Sequence, residues 1–276
     1  MGIQVEFFGA TGEVTGSCHL VTVGSHKILL DCGLIQGRQQ DEARNKEDFP
    51  FDPASIDAVV LSHAHIDHSG RLPLLVKAGF EGTIYTHRAC RDLCKIMLKD
   101  SAFLYQKDVE WENRKRARKG LKPVEPVYTV DDAARALTHF KGLVYQKKTR
   151  ILPNVKLKLN DAGHILGSSI VELWLKDSGQ QRKLVFSGDL GRSGMPILED
   201  PASIDEADLV IMESTYGDRL HRSWDETHNE IPEVLSTTTS ASGNIMIPAF
   251  AVGRTQELLY LFAKYYKDWN LDRWQI

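Results

Sequence analysis

The stretch Ser62-His63-Ala64-His65-Ile66-Asp67-His68 directly follows Ile56-Asp57-Ala58-Val59-Val60-Leu61, a nearly continuous apolar run. Such a run fits a strand buried on both faces, and the end of that strand is a rigid platform from which side chains project into a crevice. Four metal-capable side chains, His63, His65, Asp67 and His68, therefore gather at one strand end. In a chain that is extended and then turns, His63 and His65 point to one side while Asp67 and His68 face a neighbouring point. That arrangement suits two metal ions about 3.5–4 Å apart, each with an open position for water. Imidazole with carboxylate oxygen is a zinc-type ligand set, with manganese and iron as competitors. A polar loop rich in histidine by chance explains this density poorly.

Outward from this stretch the pattern is α/β. RLPLLVKAGF (71–80) has helical spacing and GTIYTH (82–87) is the next strand, a strand–helix–strand rhythm. Upstream, VEFFG, HLVTVG and HKILLD are short strands separated by turn residues. Downstream, a mostly helical segment runs from about Arg88 to Leu121, and TVDDAARALTHF (129–140) is a short helix with an Asp-rich cap. Strands return in NVKLKLNDAGH, SSIVELWLK, KLVFSGD and ADLVIMES. From Trp224 the pattern changes to a helix, a Gly turn, the strand NIMIPAF (244–250) and a last helix from about Gly253. GATGEVTGS (9–17) is followed by a strand and lacks a P-loop lysine, so its glycines are turn residues and not a phosphate cradle.

Composition bounds the function. The 276 residues are long for one compact domain and short for two, and 42% hydrophobic with 26% charged content is ordinary for a globular chain. A net charge of −3 indicates no special partner by itself. The four cysteines form no CxxC pair, and Cys90 and Cys94 read as buried small hydrophobes. With no secretory pattern at the start and no apolar run of membrane-spanning length, the expected setting is cytoplasmic. The run Arg114, Lys115, Arg116, Arg118, Lys119 and Lys122 reads first as a solvated helical face.

Further ligand candidates stand at other strand ends: His164 in NDAGHILGSS, Asp189 in VFSGDLG and Asp31 in LLDCG, each with glycine close by. Together with HxHxDH, these residues resemble the metallo-β-lactamase superfamily. GATGEVTGSCHLV, LLDCGL, SHAHIDHSGRLP, AGHILGSS, FSGDLGR and MESTYGDR are similar to its β-CASP branch of nucleic-acid nucleases, over nearly the whole chain. The resemblance implies an αββα sandwich over residues 1–208 and, over 209–276, the start of an inserted β-CASP α/β domain. It implies His63, His65 and His164 at one zinc, Asp67 and His68 at a second, Asp189 bridging both, and Asp31 supporting the ligands from behind. Glu213 matches an acidic position thought to aid leaving-group protonation. Gly253 and Arg254 match a segment at a helix start, where free N–H groups can hold a phosphate; an ordinary helix entry explains them equally well.

The implied reaction is two-metal hydrolysis of a phosphodiester, with Asp67 or Asp189 taking the proton of the attacking water. The implied partner is RNA, single-stranded in preference to duplex, with the basic run from Arg114 tracking its backbone. No membrane partner is expected, and a homodimer is admissible. Family members continue past the point where this chain stops, at Ile276, and supply two more histidines. The expectation is therefore a fragment with an incomplete second zinc site and an uncovered sheet surface. A small-molecule metallo-hydrolase of thioesterase or lactonase type, and a non-catalytic nucleic-acid-binding fragment, are the competing readings. ESTYG and the elements after it speak against the first, and the intact six ligands against the second by substitution.

Overall fold

A computed structural model describes residues 2–220, 222–237 and 244–276. Ile3–Phe7 (β1), His19–Val23 (β2) and His26–Leu30 (β3) pair antiparallel. Ala58–Val60 (β4), Thr83–His87 (β5) and Phe140–Leu143 (β6) extend them in parallel, giving a sheet in sequence order. A second sheet holds Thr149–Leu152 (β7), Val155–Asp161 (β8), Ser169–Asp177 (β9) and Gln180–Phe186 (β10) as antiparallel neighbours. Leu209–Ile211 (β11) joins it parallel to β10.

Alternation along these strands builds the core. Val155, Leu157 and Leu159 of β8, Val171, Leu173 and Leu175 of β9, and Leu184 and Phe186 of β10 are buried against Val21, Val23, Ile28, Leu30, Ala58 and Val60 of the first sheet. Each such side chain contributes about 1.5–3 kcal/mol of apolar burial, so the sheets are held face to face. All three residues of β4 are buried, as the apolar run predicts.

The short helices Gln39–Glu42 (α1), Ile66–Ser69 (α2) and Leu72–Lys77 (α3) precede the long helix Arg88–Arg118 (α4) and Val130–Leu137 (α5). Helix α4 packs on β5 and β6, and α5 packs on α3 and α4, forming the helical layer of the first sheet. Cys90, Cys94, Leu98 and Ala102 are the buried positions of α4, a four-residue spacing that makes one stripe. The two cysteines are thus small core residues, as expected. Thr129 caps α5: its Oγ1 accepts from Asp132 N–H, while Asp132 Oδ2 accepts from Thr129 N–H.

The chain divides into two compact units, residues 1–193 with 200–213, and residues 194–199 with 214–276. The division thus differs from the expected 208/209 boundary, because β11 hydrogen-bonds to β10 and stays with the first unit. In the second unit Trp224–Thr237 (α6) and Arg254–Lys264 (α7) accompany a cluster of Leu235, Leu261, Trp269 and Leu271. His228 packs edge-on against Trp224, Tyr265 and Trp269. The expected strand NIMIPAF does not form: residues 244–250 join no ladder, and Met246 and Phe250 are exposed. Its alternation has no partner strand among the described residues of that unit.

Candidate metal centre

Three strand ends converge on one point. After β4 the chain runs through His63 to His65, the residue that precedes α2, and α2 then carries Asp67 and His68. His164 lies in the turn between β8 and β9, and Asp189 follows β10. The ligand atoms of His63, His65, His164 and Asp189 all lie within 4.8 Å of one another. His65 Nδ1 is 3.0 Å from His63 Nε2 and 3.1 Å from His164 Nε2. Asp189 Oδ2 lies 3.6 Å from His63 Nε2 and 3.5 Å from His164 Nε2, and its Oδ1 lies 3.2 Å from His68 Nε2. Asp67 Oδ2 stands 3.9 Å from that same His68 nitrogen. The six expected ligand residues are thus brought together, with the two oxygens of Asp189 facing two different groups.

The environment supports cation binding. Burial holds His63 well below the usual histidine range, brings His65 down to about 4 with help from His164, and lowers His164. These imidazoles are neutral at pH 7, and three ring nitrogens that meet beside a carboxylate are a donor set that a divalent cation satisfies. Burial opposes the charge on His68, but Asp31 and Asp189 outweigh it and raise its pKa well above the usual value. Burial raises Asp67, whereas in Asp189 the same penalty is overcome by His68 and the acid strength increases.

Asp31 lies behind the cluster and is fully buried. It accepts from Ser62 N–H at Oδ1, and from Ser17 Oγ, Ser62 Oγ and His68 Nδ1 at Oδ2. An ionised carboxylate only accepts, so His68 carries its proton on Nδ1 and presents Nε2 to Asp67 and Asp189. Ser62 Oγ also lies 3.0 Å from His63 Nδ1, which fixes that ring with Nε2 inward. Ser168 Oγ accepts from His164 N–H and Ile165 N–H and shapes the His164 turn. Sequence reading passed over Ser17, Ser62 and Ser168. Their adjacency to the ligands, in SHAHIDH and AGHILGSS, was the available signal.

Two glycines let the loops meet. A Cβ on Gly33 would stand 1.6 Å from Asp67 O, and one on Gly191 would stand 1.7 Å from Gly163 O. Glu213 reaches the same neighbourhood: its Oε1 accepts from Leu190 N–H at 2.7 Å, one residue beyond Asp189. Arg114, Lys115, Arg116 and Arg118 occupy the last turns of α4, which is 31 residues long, or about 46 Å at 1.5 Å per residue. Lys115 Nζ sits 3.0 Å from the centre of the Trp111 ring, and Arg116 Nε donates to Lys122 O. Gly253 and Arg254 belong to the second unit, where Gly253 N–H donates to Gln256 Oε1 and Arg254 pairs with Glu257.

Two facing sheets with a histidine–carboxylate cluster at their strand ends define the class of protein. Residues 11–146 match the Metallo-beta-lactamase superfamily, and that stretch belongs to it. It is 42% identical over 254 residues to ribonuclease TTHA0252 of Thermus thermophilus, covering 92% of this chain and 53% of that protein. It is 33% identical over 270 residues to transcription termination factor FttA of Methanocaldococcus jannaschii, covering 96% of this chain and 40% of that protein. The chain therefore spans about half the length, or less, of the curated relatives it matches. A metallo-beta-lactamase from Cronobacter sakazakii aligns with a TM-score of 0.42 at 22% identity, covering 71% of this chain and 64% of that one. Among the described residues no helix is long and apolar enough to cross a membrane.

Proposed function

We propose that this chain carries the metal centre of a zinc-dependent, β-CASP-type nuclease that hydrolyses phosphodiester bonds of RNA. The observation that carries the reading is the bridging posture of Asp189, with Oδ2 towards His63 and His164 and Oδ1 towards His68. The relative named as a ribonuclease, 42% identical over 254 residues, supports RNA as the substrate class.

In this reading His63 Nε2, His65 Nδ1 and His164 Nε2 would hold one ion, Asp67 and His68 would hold the second, and Asp189 would serve both. When bound, the ions supply a water that is acidic near neutral pH and neutralise charge growing on the phosphate oxygens. Asp31 and Ser62 keep the histidine rings in register. Asp67 or Asp189 takes the proton that the attacking water gives up. Glu213 bonds Leu190 through Oε1, which leaves Oε2 as the atom that serves the departing oxygen. The basic end of α4, from Arg114 to Arg118, tracks the RNA backbone, and the second unit is the beginning of a β-CASP domain with Gly253 and Arg254 at its phosphate-facing helix start.

The test is substrate choice. Zinc-loaded protein is incubated with single-stranded RNA, single-stranded DNA and bis(p-nitrophenyl) phosphate, alongside a His65→Ala variant. Cleavage of RNA that the variant lacks is the expected result. Hydrolysis of the small diester alone would refute the nucleic-acid reading, and cleavage of none would point to a binding role.

A further inference from the structure

The outward face of the second sheet carries a feature that the metal centre does not use. Because side chains alternate along a strand, Lys156 and Lys158 of β8 face away from the core formed by Val155, Leu157 and Leu159. Across the ladder Trp174 pairs with Lys156 on one side and Lys183 on the other, and Arg150 of β7 pairs with Lys156. Lys148 Nζ lies 3.3 Å from the centre of the Trp174 ring, and Lys183 Nζ lies 5.4 Å from it. Five cationic side chains thus surround one half-buried indole. The carboxylate among them, Glu172, is buried and already engaged by Lys158, Lys183 and Asn160. Lys148, Arg150 and Lys156 are exposed. Desolvation, with repulsion from Lys156, Lys183 and Lys158 against the pull of Glu172, lowers the Lys148 pKa; five cations against one carboxylate leave positive charge in excess.

We propose that this sheet face binds a stretch of single-stranded RNA: Lys148 leaves the Trp174 ring for a phosphate, the freed indole face stacks a base, and Arg150 and Lys156 hold further phosphates. The inference rests on the nuclease reading for its ligand class. Charge complementarity selects a polyanion, and an indole ringed by cations adds a surface on which any base can stack. Strand β10 leads from Lys183 to Phe186, with Asp189 three residues further. Six residues of chain reach at most about 20 Å, and Gly188 turns the backbone on the way, so substrate on the platform would lie outside the metal centre but within that reach of it.

The experiment uses the full chain and 5′-fluorescein single-stranded RNAs of 5 and 20 nucleotides. Fluorescence anisotropy is read over a salt series, with and without chelator. For Arg150→Glu/Lys156→Glu the Kd for the 20-mer is expected to rise at least tenfold, with the salt slope smaller by about 1.4 for two lost contacts. Trp174→Ala should weaken binding with the salt slope unchanged, and Trp174→Phe should restore it. Hydrolysis of bis(p-nitrophenyl) phosphate should be unaffected by all three changes. Equal losses in Lys95→Glu/Lys99→Glu, a control pair of exposed lysines on α4, no loss in Arg150→Glu/Lys156→Glu, or competition by polyglutamate as strong as by RNA of equal charge would each overturn the proposal. Unchanged RNA binding with intact RNA cleavage would defeat this inference alone. Weakened RNA binding in a protein that cleaves no RNA would defeat the nuclease reading alone.

Discussion

Asp31 Oδ2 lies 2.7 Å from Nδ1 of His68, and this buried pair orients the ring whose other nitrogen faces Asp67 and Asp189. Asp31 adopts a left-handed backbone conformation, φ 57°, that is uncommon outside glycine. The strand end is therefore shaped around a carboxylate that touches none of the reacting atoms. In Asp31→Asn the shape is kept and the charge is lost, so affinity for the second zinc ion is expected to fall about 10–100-fold. Asp31→Ala leaves Ser17, Ser62 and His68 without their acceptor and should cost about 3–5 kcal/mol of stability. Competition with a chromophoric chelator measures the first effect and thermal unfolding the second.

Protonation distinguishes the two proposed ion sites. His63, His65 and His164 are held neutral by burial, so binding of the first ion should vary little between pH 6.5 and 8. His68 is held protonated above its usual range by Asp31 and Asp189, against the effect of burial. The second ion must displace that proton, so its affinity should rise about tenfold per pH unit until the raised pKa is passed. In metal-free protein the sign reverses for stability. The contribution of protonated His68 is fully present below its unfolded pKa and is lost as pH rises through the folded value. Calorimetric titration in buffers of different ionisation enthalpy counts the protons released at each step.

Backbone contact between loops makes Gly33 a sensitive position. A methyl group there would fall 1.6 Å from Asp67 O, where only a backbone shift can relieve the clash. Gly33→Ala is expected to lower stability by more than about 3 kcal/mol and to displace Asp67. Unfolding by urea, together with metal content by mass spectrometry, reads both effects.

The candidate cluster was legible because His63, His65, Asp67 and His68 are dense in one segment and its other members stand at strand ends next to glycine: His164 beside Gly163, and Asp189 beside Gly188. An apolar run likewise announced β4, and alternation announced β8. Short edge elements were not legible: β6 and β7 have four residues each, too few to display a period. NIMIPAF shows the converse failure, since alternation marks a capacity to pair and does not name the partner. The serines around Asp31 were missed for a related reason. A hydroxyl is common in any loop, and its role depends on the carboxylate that folding brings to it.

The basic end of α4 is a separate test of RNA contact. Arg114→Glu/Arg116→Glu/Arg118→Glu should raise the Kd for single-stranded RNA and reduce the salt slope by about 2, for three lost phosphate contacts. Because no residue of α4 beyond Ala102 is buried, the core should be undisturbed, and losing the Arg116–Lys122 contact should cost no more than about 1–2 kcal/mol. An unchanged affinity and slope would remove this helix from the RNA path.

The proposed two-ion centre is tested most directly by RNA cleavage by chelator-stripped protein as zinc is added in known equivalents. Cleavage should be absent without metal, rise as both ion sites fill, and fail at every zinc level in His65→Ala. Cleavage in excess chelator, or full cleavage by His65→Ala, would contradict it.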